Sequence, residues 1–247
     1  MGIGLITVLR NLQVWGKLLT VQPSIKKVGL SKIATNLAVL ALLLFASAGS
    51  FRFWEAWLFL GLMGISWALF FFTFLKKDPQ LLARRMQREE TEFAQKLVQK
   101  LFMGVVLPGF VLSGLDFHFG WSRAMSAVPP VLIWIAQFIA LGAYFLVFWV
   151  MKTNTFAAST IRVESEQRVV SNGPYRFVRH PMYSGMAIAA LAIPLALGSY
   201  VALSFFALLI PVLVYRLVHE ERTLRRDLRG YSEYCKQTCF RLVPWIW

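Results

Sequence analysis

MYSGMAIAALAIPLALGSYVALSFFALLIPVLVYRLV, residues 182–218, decides how the chain must fold. Its first half, Met182–Leu197, is apolar but short, and only Gly198–Ser199 separates it from a second apolar run, Tyr200–Val218. Two apolar segments joined by a two-residue turn read as a tight helical hairpin. Four further apolar blocks lie upstream: Ile33–Gly49, Trp54–Leu75, Leu101–Phe119 and Val131–Val150. Most approach the roughly 20 residues of a spanning helix, and in lipid only helices or closed barrels satisfy their own backbone. The blocks are too long and too continuous for the short alternations of a sandwich or barrel. The expected fold class is therefore all-α: a polytopic membrane helical bundle of about six spans with a C-terminal helical hairpin.

Composition agrees. Hydrophobic residues make up 57% of the 247, aromatics 15%, and nine are Trp, which sets the chain apart from soluble domains. The net charge of +14 raises nucleic acid as a partner, but its placement argues against that. Lys and Arg number five in residues 1–32, seven in 76–100, five in 151–180 and seven in 216–247, with only Arg52 and Arg123 elsewhere. All but these two fall on one side of a six-span topology, the positive-inside bias that puts both termini in the cytoplasm. Attraction to anionic lipid headgroups accounts for most of the remaining basicity.

Three parts follow along the chain. Residues 1–32 form a cytoplasmic or interfacial N-terminus; Met1–Gly16 has no signal-peptide cleavage layout and suits an interfacial helix. Residues 33–130 hold spans one to three, with a cytoplasmic amphipathic helix at 78–97. There Asp78 is a good N-cap, Pro79 a good first residue, and Leu82/Met86 and Phe93/Leu97 recur at i, i+4. Residues 131–247 hold span four, a long polar loop, the hairpin and a cytoplasmic C-terminal segment. In the loop, Ile161–Val170 alternates as an extended segment would, and Asn172-Gly173-Pro174 marks a turn. Pro108, Pro194 and Pro211 are expected to kink their helices. Asp116 and His118 sit near the outer end of span three, where both can reach water. Cys235 and Cys239, at i, i+4, are expected to be reduced and structural.

Several chemistries lack their residues. No G-x-G-x-x-G or Walker-type glycine loop occurs, so no Rossmann domain is expected. With three histidines (His118, His180, His219) and no H-E-x-x-H, a zinc site is not expected. Glu55 and Asp116 are weak material for a proton relay. What remains is a polar, aromatic constellation at the membrane face. Tyr175, Arg179, His180 and Tyr183 precede or open span five, and Arg216, His219, Glu220 and Glu221 close span six. The hairpin must bring the two groups together. Arg216 and Glu220 share one helical face where the helix leaves the bilayer; they are either a ligand site or a structural ion pair with Arg216 snorkelling. Glu221 and Arg225 read as an ordinary i, i+4 surface pair. Tyrosine faces, a carboxylate and guanidinium groups suit a polar cofactor beside a lipophilic substrate.

GPYRFVRHPMYSG (173–185), followed by the hairpin and then HEERTL, GYSEY and RLVP, resembles the isoprenylcysteine carboxyl methyltransferase and phospholipid methyltransferase family, in a bacterial-type form. The resemblance spans roughly Asn154–Pro244, with DPQLLARRM the only family-like stretch upstream. It implies a multi-span methyltransferase with S-adenosylmethionine in a cytoplasmic pocket, in a bacterial inner membrane. It also implies that Gln167, Arg168, Val169, Val170, Tyr175, Arg179, His180, Pro181, Met182 and Tyr183 line the cofactor pocket. Glu220 would bind the cofactor, and Arg216 would contact the acceptor's carboxylate; these two are the catalytic candidates. At Gln167 the eukaryotic enzymes carry histidine, and the spacing from Glu221 to Tyr231 is one residue shorter than usual, which bears on Tyr231 and Tyr234. The acceptor would be a lipophilic or small membrane-accessible carboxylate, amine or thiol, with membrane lipids as the other partners and neither nucleic acid nor metal. Two other readings stand beside it: an NADPH-dependent membrane sterol-type reductase, and a non-catalytic scaffold or carrier.

Overall fold

The computed structural model describes residues 26–77, 82, 93–154 and 168–247. The expected N-terminal interfacial helix, most of the 78–97 amphipathic helix, the 161–167 part of the extended segment and Gln167 lie outside the described residues. Every regular element among the described residues is a helix. Helix α1 covers Lys26–Ala48 and α2 covers Trp54–Lys77. Then come α3 (Phe93–Phe119), α4 (Trp121–Ser126) and α5 (Pro130–Thr153). A 3-10 turn at Gly173–Arg176 leads into α6 (Pro181–Ala196), followed by α7 (Tyr200–Phe206), α8 (Leu209–Asp227) and α9 (Tyr231–Gln237). Residues 93–97 are the first turns of α3, continuous with the third span.

Five segments are long and apolar enough to cross a membrane, and Pro181–Ala196 is a shorter apolar helix. The chain is a multi-pass membrane protein. Helix ends follow local chemistry. Glu55 lies in the first turn of α2 and Lys76 and Lys77 in its last, each complementing the helix dipole. Prolines open α5 and α6, where a missing N–H costs nothing.

The second hairpin arm departs from the expected single helix. It breaks at Ala207–Leu208, four and three residues before Pro211. The proline ring opposes the carbonyl of the residue four before it, which here is Ala207. The backbone answers with tighter bonds, from Leu208 N–H to Phe205 O (3.1 Å) and from Ile210 N–H to Ala207 O (3.0 Å). By contrast, α3 runs through Pro108, and Pro194 lies two residues from the end of α6.

Two glycines shape the hairpin. Gly198 turns it at φ +69°, a conformation that penalises any side chain. Gly185 lets α6 press against α5, since a Cβ there would meet Val147 at 2.9 Å and the Ala143 carbonyl at 3.2 Å. The largest core joins Leu44, Phe45, Phe53, Phe59, Phe110, Ile193 and Phe206 from α1, α2, α3, α6, α7 and the α1–α2 turn.

Candidate functional site

The hairpin's turn end is stitched, not open. Asp116 is only 3% exposed, which corrects the expectation that it reaches water. Its carboxylate accepts from Ser122 N–H (2.7 Å), Ser122 Oγ (2.5 Å) and Ser199 Oγ (2.5 Å). Ser199 Oγ in turn accepts from Ala202 N–H at 2.9 Å, capping α7. Gln137 spans the same region, its amide donating to Ala196 O (3.0 Å) and Glu55 O (3.3 Å). His118 stays exposed, with Nδ1 at 3.1 Å from Ala48 O.

At the opposite, open end, four segments converge: residues 168–180, the first turn of α6, the last turns of α8, and everything after α8. Backbone bonds pair the entry to α6 with the C-terminal strip: Arg179 N–H to Phe240 O (2.9 Å) and His180 N–H to Arg241 O (3.0 Å). Ser184 Oγ adds a bond to Leu242 O at 2.6 Å. The GPYRFVRHPMYSG turn is thus tied down by residues some 60 positions later, and Leu242 wedges between Tyr183, Leu213 and Leu217.

Glu221 is the anchor of this end. It is 3% exposed, so the sequence expectation of a surface pair with Arg225 is corrected. One oxygen takes Arg179 Nη1 and Arg225 Nη2 (2.8 Å), and the other takes Arg241 Nε (2.6 Å). Arg179 Nη2 also donates to Cys239 O at 2.6 Å, while its Nε is buried without a partner. Both terminal nitrogens of Arg179, a predicted pocket residue, are therefore engaged inside the protein.

Beside this anchor lies a second polar chain. Tyr183 Oη donates to Glu220 Oε2 at 2.5 Å and accepts from Arg216 Nε at 3.0 Å. The two residues read as a helical pair are thus joined through a tyrosine from the other hairpin arm. Glu220 and Arg216 are half-buried, which leaves them reachable by a ligand. The His180 ring lies 5.9 Å from that of Tyr183, and its Nε2 is 3.3 Å from Tyr231 Oη. Burial pushes the His180 imidazole below its ordinary pKa, against the opposing pull of Glu220 and Glu221.

Tyr231 and Tyr234, whose places the shortened spacing put in question, both reach the site. Tyr234 Oη donates to Tyr175 O at 2.7 Å, and Asn154 Nδ2 donates to Tyr175 Oη at 3.0 Å. Tyr231, Tyr234 and Leu228 form a small apolar cluster with Val169 and Tyr175. Burial pushes both phenols upward in pKa, so both stay protonated at neutral pH. Of the other predicted residues, Arg168 is exposed and Val170 half-buried. Pro181 is fully buried, and Met182 packs towards Phe71, Phe74, Leu75, Leu82 and Met151. Sequence reasoning missed Arg241, Ser184 and the structural rank of Glu221. The available signal was the Leu213, Leu217, Glu221 stripe at i, i+4, i+8, which puts this carboxylate on a buried face.

Residues 134–226 match the model of the isoprenylcysteine carboxyl methyltransferase (ICMT) family. A stretch of 91 residues is 33% identical to Delta(14)-sterol reductase TM7SF2 of Mus musculus, covering 36% of this chain and 22% of that protein. The chain thus spans about a fifth (22%) of that relative's length. The solved structure of the eukaryotic intramembrane Ras methyltransferase ICMT without a monobody superposes with a TM-score of 0.58. It is 17% identical, and the match covers 97% of this chain and 86% of that one. At that identity the likeness is one of fold.

Proposed function

We propose that the protein is an integral-membrane S-adenosylmethionine-dependent methyltransferase, on the footing that residues 134–226 match the model of the isoprenylcysteine carboxyl methyltransferase family. Its acceptor is a lipophilic or small membrane-accessible carboxylate, amine or thiol. The observation that carries the reading is the Arg216–Tyr183–Glu220 chain, which joins both hairpin arms at one polar, half-buried spot.

The donor set suits the cofactor. A half-buried carboxylate at Glu220, already oriented by the Tyr183 hydroxyl, suits an ammonium group or ribose hydroxyls. The half-buried ring of Tyr175, packed with Val169, suits a sulfonium by cation–π attraction. Bound there, S-adenosylmethionine would supply the methyl group from its sulfonium.

The chain's own residues supply alignment and a dry surround. Arg216 orients an acceptor carboxylate through its guanidinium. Tyr183, bonded to both Arg216 and Glu220, fixes the acceptor side relative to the cofactor side, and such alignment is the larger part of a displacement reaction. The strip from Phe240 to Leu242, bonded to the entry and first turn of α6, holds the base of the site in place, and preorganised dipoles there favour the reaction. A carboxylate acceptor needs no base. An amine or thiol would call on half-buried His219, since His180 is buried against Tyr231.

The distribution of Lys and Arg supports a cytoplasmic open end and cytoplasmic termini. The bacterial-type resemblance makes an inner membrane the compartment. A second reading rests on the sterol reductase similarity, and it replaces the cofactor with NADPH.

Calorimetric titration of the purified protein in mild detergent with S-adenosylmethionine, and in parallel with NADPH, separates the two. Binding of S-adenosylmethionine, lost in Tyr175→Ala, supports the methyltransferase. Binding of NADPH alone would promote the reductase, and no binding of either by folded protein and acceptor lipid would favour a scaffold.

A further inference from the structure

The chain beyond Leu242 takes no part in the polar chain above, yet it is built with care. The N–H groups of Arg241, Leu242 and Val243 all donate to the main-chain oxygen of Trp247, at 2.8, 2.9 and 3.2 Å. The Arg241 guanidinium lies over the Trp247 ring, 5.1 Å from its centroid. In this closed turn Trp245 sits at φ 64°, the positive-φ residue other than glycine among the described residues. That conformation is penalised for any residue other than glycine. It holds out an indole that is 88% exposed, next to Ile246 at 80%. Strain maintained to display an apolar side chain points to something that side chain meets.

The depth of the turn says what that is. Leu242, immediately before it, packs among Tyr183, Leu213 and Leu217, residues of the two apolar hairpin arms. Ser184 Oγ holds Leu242 O in the first turn of α6. The turn therefore emerges at the ends of the two apolar hairpin arms, where Arg216 and Glu220 mark the passage from apolar to polar residues. Phe177, two residues before the Arg179–Phe240 backbone bond, is also largely exposed. Lys152 at the end of α5 and Arg176 beside Phe177 are exposed cations at the same end of the bundle.

We propose that Trp245, Ile246 and Phe177 form an interfacial foot, seated in the headgroup–acyl boundary of the bilayer that the helices cross, with Lys152 and Arg176 meeting anionic lipid phosphates. Indole rings favour that zone because it accommodates an apolar body with a polar edge. Cations beside them gain from anionic lipids. Through Arg241 and Leu242 the foot is coupled to the Glu221 anchor, so lipid contact holds the C-terminal strip against the site.

The test places nitroxide labels on full-length protein carrying Cys235→Ser and Cys239→Ser, in nanodiscs of phosphatidylcholine with phosphatidylglycerol. Labels at Ile246→Cys and Phe177→Cys are compared with one at Lys236→Cys, an exposed position on α9. The expected result is a ratio of oxygen to nickel-chelate collisions several-fold higher at 246 and 177 than at 236. Adding Trp245→Ser to the 246-labelled protein should lower that ratio. A label at 246 as open to the nickel chelate as the one at 236 would overturn the foot. So would protection from oxygen and nickel together, which would mean a protein cover. Phe177→Cys leaves the turn's own residues intact, so the same readings there decide the matter if Ile246→Cys fails to fold.

Discussion

Asp116 and Glu221 are both 3% exposed, they lie at opposite ends of the hairpin, and they are satisfied in opposite ways. Asp116 takes a backbone N–H and two serine hydroxyls, so neutral donors from α3's neighbours close its account locally. Glu221 takes three guanidinium groups, which leaves its surroundings with surplus positive charge. That surplus sits one residue from Glu220 and within the same fold of chain as Tyr183 and Arg216. A neutral stitch fixes geometry and nothing more. A cation-rich anchor fixes geometry and also sets the electrostatic surround of the polar chain beside it.

Breaking the anchor should have the largest effect. Glu221→Ala leaves the largely buried Arg179 with only its bond to Cys239 O, and removal of one partner from a buried pair costs about 3–5 kcal/mol. Arg225 and Arg241 reach solvent, so the lower end, about 3 kcal/mol, is expected. Thermal denaturation in detergent should show it, together with faster hydrogen exchange over residues 240–247. The stitch should cost less. Asp116→Asn keeps one acceptor oxygen and should lose about 1–2 kcal/mol, with no change in cofactor affinity; equal losses at both ends would erase the contrast.

His180 sharpens the comparison through pH. Its folded pKa lies below the ordinary 6.5, chiefly from burial, so the folded protein binds fewer protons than the unfolded one just below that value. Its stability contribution is therefore complete above pH 6.5 and is lost as pH falls from 6.5 towards the folded value. The slope is at most about 1.4 kcal/mol per pH unit. His180→Gln should flatten that part of the stability–pH curve, and an unchanged slope would assign it to other groups. The smallest effect is expected from Tyr234→Phe, which removes one bond to Tyr175 O at about 0.5–1.5 kcal/mol, seen as a small drop in melting temperature.

The sequence made the bundle legible because apolar block length is a local property. The hairpin was equally plain, since Gly198–Ser199 leaves no room for anything but a turn. Pro211 announced a disturbance, although its extent, two helices in place of one, depended on how Ala207 and Leu208 re-bonded. The site was legible as a set of residue types and not as an arrangement. Arg216 and Glu220 looked like partners at i, i+4; nothing local says that Tyr183 stands between them. Asp116 looked wet because its partner Ser199 lies 83 residues away. Glu221 looked superficial because Arg179 and Arg241 lie 42 and 20 residues away. Long-range polar pairing leaves no periodic trace in one sequence.

The most direct measurement is S-adenosylmethionine affinity, by calorimetry, for wild type, Glu220→Ala and Asp116→Asn side by side. The expected result is measurable binding in wild type, its loss in Glu220→Ala with the helical circular dichroism retained, and wild-type affinity in Asp116→Asn. Undiminished binding in Glu220→Ala, or an equal loss in Asp116→Asn, would contradict the assignment of the hairpin's open end as the cofactor site.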